Sequence, residues 1–109
     1  MTSDAEHAHP RHRLDDLLTH PVRLSVVATL AAAEEAEFGF VRDTVQVSDS
    51  LLSKQVALLE GAGYVQVKKG YVGKRPRTWL RLSPDGRAVY LRHLEALRDI
   101  ARPVLGHDD

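Results

Sequence analysis

The sequence predicts a mainly helical α+β domain in which a single β-hairpin precedes a long last helix. Two observations predict this fold class. Apolar residues recur at helical spacing over most of the chain, and two short stretches alternate apolar and polar residues around a turn that contains Gly and Pro. A length of 109 residues fits one domain with a modest core that would gain from a partner subunit.

The composition excludes several classes of protein. The chain has no cysteine, which excludes a disulfide scaffold, a thiolate zinc site and a cysteine-based redox switch. Charged residues or histidine interrupt every apolar run, so no segment is predicted to span a membrane. The N-terminus lacks the pattern of a secretory signal, and we therefore expect a cytoplasmic protein.

The beginning of the chain divides into a predicted tail and a predicted first helix. Residues 1–12 are polar and show no period, so we expect a disordered tail before a domain that spans residues 13–105. Helical character begins around Leu14. Pro21 suits the first position of a helix, with His20 before it as a capping or packing residue. The apolar residues that follow at helical spacing are Val22, Val26, Val27 and Leu30.

A short second helix and a well-delimited third helix are predicted next. Gly39 lies in a stretch that suits a short strand or a hinge, and apolar residues up to Val45 then indicate the short helix. Ser48 can cap the third helix, and Gly63 suits the left-handed residue after its end. Its apolar face consists of Leu52, Val56 and Leu59. Its opposite face carries small or polar side chains that suit insertion into a groove, namely Asp49, Ser50, Ser53, Lys54 and Ala57.

The predicted hairpin carries a concentrated positive charge although the whole chain is neutral. Residues 64–69 and 78–82 alternate as strands do, and residues 70–77 combine Gly, Pro and basic side chains in an exposed turn. No acid occurs among the cations of this segment, which are Lys68, Lys69, Lys74, Arg75, Arg77 and Arg81. Such a segment can form an anion-binding surface on a neutral protein, although basic runs alone are usually solvated loops.

The last helix is predicted to start at residues 83–85, Ser-Pro-Asp, which supply a cap, a first-turn proline and an acid near the positive helix end. It should run to about Arg102. An apolar stripe recurs along it, comprising Tyr90, Leu91, Leu94, Leu97, Ile100, Ala101 and Val104. Three helices and one hairpin have too little surface to cover this stripe, so we expect a two-fold homodimer. The alternative is a last helix folded fully onto its own domain.

Helix, short helix, helix, hairpin and long helix is the element order of a winged helix-turn-helix, with the hairpin as the wing. Three segments carry a family resemblance: LTHPVRL at residues 18–24, LSKQVALLEGAGYV at 52–65 and KKGYVGKRPRTWLRLSPDGR at 68–87. In this order they resemble winged-helix regulators related to the MarR and ArsR types, above all the short form described as a winged-helix DNA-binding domain. The resemblance covers residues 14–100.

The resemblance implies a homodimer that places its third helix in the major groove of DNA. The family's recognition positions fall on Asp49, Ser50, Ser53 and Lys54, with Gln55 where related sensors often carry His. Its wing positions fall on Lys74, Arg75 and Arg77. The chain lacks the cysteines of many ArsR-type metal sensors, and no small-molecule effector is assigned.

We predict a regulator that binds double-stranded DNA sequence-specifically, with repression as the favoured mode and an inverted repeat as its operator, and neither an enzyme nor a cofactor-dependent protein. Serine hydroxyls can contact bases or phosphates, Lys54 can reach guanine, and Asp49 can accept a hydrogen bond from cytosine. The predicted wing contacts to phosphates or to the minor groove are Lys68, Lys69, Lys74, Arg75 and Arg77. The alternatives are a winged-helix protein-interaction module without DNA binding and a metal- or ligand-gated sensor of the same fold.

Aromatic and histidine side chains admit further interpretations. Tyr64 and Trp79 could stack on the bases of a single strand, but their position in strands favours a role in the core. Metal ligands must converge in a fixed geometry, and the histidines lie in the tail or far apart in sequence, so no metal site is predicted. The histidines concerned are His7, His9, His12, His93 and His107.

Overall fold

A computed structural model describes residues 8–105, with the side chains of residues 103–105 outside that description. Its elements in chain order are 3-10 helices at Pro10–Arg13 and Asp16–Thr19, helix α1 (Pro21–Ala31), strand β1 (Ala36–Glu37), helices α2 (Phe38–Val45) and α3 (Asp49–Gly61), strands β2 (Val65–Val72) and β3 (Arg75–Leu82), and helix α4 (Pro84–Leu105). This order confirms the predicted winged helix-turn-helix. Across residues 8–105, every helix is too short or too polar to cross a lipid bilayer.

The N-terminal segment folds against the last helix. Arg13, at the end of the first 3-10 helix, donates from Nη2 to Oδ2 of Asp99 in α4 at 2.7 Å. Nδ1 of His9 caps the same short helix by accepting from the backbone N–H of Arg11 at 3.1 Å. The prediction of a disordered tail therefore differs from the structure at residues 10–12, and its first part, residues 1–7, lies outside the described residues.

Helix α1 begins at Pro21, which the sequence marks as suited to a first helical position, and not around Leu14. His20 is its cap, because Nδ1 of His20 accepts a hydrogen bond from the backbone N–H of Val22 at 3.2 Å. The helical character expected from Leu14 is instead a separate 3-10 helix, which the carboxylate of Asp15 caps at the N–H of Leu17. Both segments contribute to the core through fully buried residues, namely Leu18, Val26, Val27 and Leu30.

The stretch around Gly39 divides between a strand and a helix. Ala36–Glu37 forms β1, and Phe38 begins α2. Strand β1 pairs antiparallel with β3, where Ala36 lies opposite Leu80, so the sheet has the order β1-β3-β2. The hairpin is therefore part of a three-stranded sheet that is anchored to the start of the helix-turn-helix.

The two strands of the hairpin are longer than the sequence predicts. Their pairing runs without interruption from Val65 opposite Leu82 to Val72 opposite Arg75. The chain reverses in a tight turn because Gly73 adopts a positive φ of 63°. Glycine adopts this conformation at little cost in free energy because it has no side chain. The basic segment therefore belongs to a paired hairpin over most of its length.

One hydrophobic core lies between the helices and the inner face of the sheet. Leu80 and Leu82 face this core, and because strand side chains alternate, Trp79 lies on the outer face. The preferred assignment of Trp79 to the core is thus wrong: its ring is half-buried, and the ammonium of Lys68 lies 5.5 Å from the ring centroid. Tyr64 does pack against the core, as predicted.

Helix α4 is fixed to the end of α3 by its first turn. The hydroxyl of Ser83 donates to the carbonyl of Gly63 at 2.6 Å and accepts from the N–H of Gly86 at 2.9 Å, which confirms the predicted helix start. Gly86 lies so close to the backbone of Tyr64 that a Cβ placed there would be 2.2 Å from the Tyr64 carbonyl oxygen. The long helix therefore cannot shift along this contact without breaking it.

Candidate nucleic-acid interface

The turn between α2 and α3 sets the direction in which α3 leaves the domain. Gln46 adopts a left-handed conformation with φ 64° and ψ 57°. The carbonyl of Arg42 accepts from the N–H of Gln46 at 2.8 Å and from the N–H of Val47 at 3.2 Å. Ser48 then caps α3 through its Oγ, which accepts from the N–H of Leu51 at 3.1 Å. Two closely spaced helices thus form a rigid helix-turn-helix.

Helix α3 presents a small, polar face to solvent. Leu52, Val56 and Leu59 are buried on the side that faces the core. Four of the residues predicted to read DNA lie on the other side and are exposed, as is the predicted neighbour Ala57; the four are Asp49, Ser50, Ser53 and Lys54. Hydroxyl, ammonium and carboxylate groups on an exposed helix face can make hydrogen bonds in a major groove.

Gln55 does not belong to this face, and its assignment to the recognition surface is wrong. Its side chain is only 5% exposed. Oε1 of Gln55 accepts from Nη1 of Arg23 at 2.8 Å, and Nε of Arg23 donates to the carbonyl of Leu17 at 2.7 Å. The helical period explains the placement, because Gln55 falls on the same side as Leu52 and Leu59. Gln55 joins α3 to α1 and to the second 3-10 helix.

The predicted wing residues are all on the hairpin, but their surroundings differ. Lys74 is in the turn and Arg75 begins β3, and both are exposed. Lys68 and Lys69 are exposed on opposite faces of β2. Arg77 is only partly exposed, and its Nη1 donates to Oε2 of Glu37 in a salt bridge. Lys74 and Arg75, the cations at the tip of the hairpin, therefore have no ion-pair partner among residues 8–102.

A groove of about 450 Å³ separates α3 from the inner face of the wing. Asp49 and Ser53 line it from α3, and Lys69 and Thr78 line it from the hairpin. Its floor is apolar and includes Val56 and Leu80 among others. The groove shows that the exposed face of α3 and one side of the wing form a single concave surface.

Arg42, which was not among the predicted site residues, lies beside Asp49 at the edge of this surface. Its Nε donates to Oδ1 of Asp43 at 2.9 Å, and its Nη1 donates to Oδ1 of Asp49 at 2.9 Å. The hydrogen bond from Arg42 lowers the pKa of the Asp43 carboxyl below its ordinary value. Sequence alone held one signal, a single cation among the acids around the predicted turn, but no spacing rule connects residues 42 and 49.

The apolar stripe of α4 is only partly covered by its own domain. Leu91 is 57% exposed and Leu97 is 38% exposed. Tyr90, Leu94, Ile100 and Ala101 are partly buried, and the side chain of Val104 lies outside the described residues. Ala96 and His93 instead form the buried side of this helix.

His9, His20 and His93 each accept a backbone hydrogen bond through Nδ1. Within residues 8–102, no group of three or more His, Asp or Glu side chains is arranged to hold a metal ion. His93 is 1% exposed, and its Nδ1 accepts from the backbone N–H of Asp15 at 3.0 Å. Burial lowers the pKa of His93, while the nearby charge of Asp15 acts in the opposite direction. His7 and His107 lie outside the described residues.

Solved structures of other proteins share this arrangement. A transcriptional regulator homologue from Pyrococcus horikoshii OT3 matches with a TM-score of 0.78 and 24% identity, covering 84% of this chain and 90% of that one. A MarR family transcriptional regulator from Silicibacter pomeroyi matches at 0.66 and 21% identity, covering 86% of this chain and 62% of that one. The M. tuberculosis regulator MOSR, solved in complex with DNA, matches at 0.65 and 16% identity, covering 81% and 62%.

These likenesses show a fold shared with MarR-like transcriptional regulators. A family model described as "Winged helix DNA-binding domain" matches residues 22–101, from the start of α1 nearly to the end of α4. The matched range includes the helix-turn-helix, the wing and most of the last helix. The chain therefore belongs to the family of winged helix DNA-binding domains.

Proposed function

We propose that this protein is a transcriptional regulator that binds double-stranded DNA as a homodimer and recognises an inverted-repeat operator. One observation carries the proposal. The exposed polar face of α3 and the basic hairpin border the same concave surface, while α3 is fixed from behind by its buried face. A rigid helix beside a group of exposed cations is what groove binding requires, and nothing in this role calls for catalysis.

Helix α3 supplies the base contacts in this proposal. Ser50 and Ser53 can donate to or accept from base edges, and Lys54 can donate to guanine. The buried side chain of Gln55 is excluded from these contacts because Arg23 already holds it.

The wing supplies contacts that depend on charge more than on sequence. Lys74 and Arg75 have no salt-bridge partner among residues 8–102, so they can neutralise phosphates without first breaking an ion pair. Arg75 can also enter a narrow minor groove, where the negative potential is enhanced. Arg77 contributes less, because docking it on DNA requires release from Glu37.

The exposed stripe of α4 supports the proposed dimer. Exposed Leu91 and Leu97 form an apolar surface on an otherwise charged helix, and a second copy of the same stripe is complementary to it under two-fold symmetry. The two α3 helices would then lie about one turn of DNA apart, roughly 34 Å, or a multiple of it. Occupying such a site blocks other proteins from the DNA, which is why we favour repression.

Selection from a pool of random double-stranded DNA tests the proposal. The full chain should enrich an inverted repeat, and its affinity for that repeat should fall steeply as salt increases. A scrambled sequence of the same length serves as the DNA control. Failure to enrich any sequence, together with salt-independent binding, would reject the proposed function.

A further inference from the structure

Arg42 connects the two helices of the helix-turn-helix on the surface that faces the proposed DNA. Its guanidinium bonds Asp43 on its own helix and Asp49, the first residue of α3, each at 2.9 Å. It also lies over Gly39, since a Cβ placed on that glycine would be 3.5 Å from Nη2 of Arg42. The guanidinium is therefore restrained by carboxylates from both helices.

Asp49 is an unusual residue for a surface that meets DNA. A carboxylate at the start of a recognition helix repels phosphates unless a cation neutralises it. Arg42 supplies that cation and engages only Oδ1 of Asp49. Among residues 8–102, Oδ2 accepts no hydrogen bond, and the side chain of Asp49 remains 72% exposed. Asp49 thus retains one acceptor whose direction the ion pair with Arg42 restricts.

We infer that Arg42 is a positioning residue for base recognition, which holds the carboxylate of Asp49 so that its free oxygen accepts from the exocyclic amine of a cytosine. Cytosine presents this amine in the major groove, and acidic side chains are suited to accept from it. Arg42 acts through Asp49 and does not itself contact the base. The inference rests on the proposed function, because it concerns the same surface and the same partner.

Four variants test the inference by sequence selection: Arg42→Met, Asp49→Asn, the double variant and Asp43→Asn. The wild type should require cytosine at one position in each half-site. Arg42→Met and Asp49→Asn should each reduce that preference by about fivefold or more, with the other positions unchanged. The double variant should lose no more than Asp49→Asn alone. Asp43→Asn is the matched control, because it removes the charge of the other carboxylate that contacts Arg42 and leaves the pair with Asp49.

The readouts separate this role from two others. If Arg42→Met weakens binding to every sequence equally and lowers the salt slope by about one unit, Arg42 is a phosphate contact and the inference is wrong. An unchanged base preference in Arg42→Met also rejects it. Arg42→Lys should restore only part of the preference, since lysine keeps the charge but not the planar fork that spans both carboxylates. A wild type that selects no sequence rejects the proposed function instead.

Discussion

Helices α3 and α4 are both amphipathic, yet they expose faces of opposite chemistry. The exposed face of α3 carries mainly small or polar groups, with Leu58 as an exposed apolar side chain, whereas that of α4 carries Leu91 and Leu97 among charged residues. The buried face of each helix includes one polar residue, Gln55 in α3 and His93 in α4. The proposed function assigns each face its own partner: DNA to the polar face of α3, and the same apolar stripe of a second copy to α4.

The largest expected effect comes from charging the apolar face of α4. In the double variant Leu91→Glu/Leu97→Glu, forming the dimer would require burying two carboxylates per chain. Because this is unfavourable, the protein should sediment as a monomer. Its affinity for the inverted repeat should fall about 100-fold or more, because two linked half-site contacts become independent. Both leucines are exposed in the single chain, so thermal unfolding of the monomer should remain cooperative.

Leu58 offers a matched control for this variant. It is 45% exposed but lies on α3, outside the proposed dimer interface. Leu58→Glu should remain dimeric in the same sedimentation experiment. A wild-type chain that is monomeric at micromolar concentration and binds a single asymmetric site tightly would contradict the assignment of α4.

The second effect concerns the wing, whose contribution should be independent of sequence. Lys74→Ala/Arg75→Ala should weaken binding to all DNA and flatten the dependence of log affinity on log salt, by about 0.9 for each phosphate that is no longer neutralised. The preferred sequence should stay the same. The control Arg11→Ala/Arg87→Ala removes two exposed cations elsewhere and should leave the slope unchanged.

The ion pair between Arg77 and Glu37 sharpens this test. Glu37→Gln removes the carboxylate that holds Arg77, so it should increase affinity and steepen the salt dependence. Arg77→Ala should have a smaller effect than Arg75→Ala in the wild-type background. Equal losses from the two arginines would show that the pair with Glu37 does not restrain Arg77.

The third effect separates the two sides of α3. Ser53→Ala or Lys54→Ala should alter base preference, with a loss of about 1–3 kcal/mol where a good base contact is removed. Gln55→Ala should leave base preference unchanged but destabilise the fold by about 1–3 kcal/mol, because it leaves a donor of Arg23 without its partner. Parallel sequence selection and urea unfolding of the three variants measure both quantities. A changed base preference in Gln55→Ala would restore it to the recognition surface.

Most of the buried and exposed faces of α3 and α4 could be predicted from the sequence, because helix faces follow from residue spacing. The caps at His20, Ser48 and Ser83 and the apolar side of α3 are where the sequence predicts them. The predictions that Gln55 lies on the recognition surface and Trp79 in the core are wrong, although the same spacing rules place both residues where the structure has them. Gln55 shares the period of Leu52 and Leu59, and strand alternation separates Trp79 from its neighbour Leu80.

Other features could not be predicted from local patterns. Strand β1 has only Ala36 and Glu37, too few residues to show alternation, and it exists because β3 offers an edge for pairing. The pair between Arg42 and Asp49 depends on the left-handed conformation of Gln46, which brings the two helices together. The dimer, the DNA contacts and the mode of regulation remain predictions, because they require partners in addition to a single chain.

The smallest expected effect is a dependence of folding stability on pH, which should arise from α4 and not from α3. Folding favours the neutral form of His93, because the side chain is buried and Nδ1 accepts from the N–H of Asp15. Below the ordinary histidine pKa of 6.5, the unfolded chain binds a proton that the folded chain excludes. Stability should therefore be fully present above this pH and decrease as the pH falls below it, by at most about 1.4 kcal/mol per pH unit for one proton.

Urea unfolding between pH 5 and 8 measures this dependence, and two asparagine variants isolate its source. In His93→Asn, the amide oxygen can still accept from Asp15 but does not titrate, so the decrease between pH 6.5 and 5 should become shallower. His9→Asn is the matched control, since His9 also accepts a backbone N–H through Nδ1 but is exposed. It should keep the slope of the wild type. If stability decreases equally with falling pH in the wild type and in both variants, the buried side of α4 is not the source of the pH dependence.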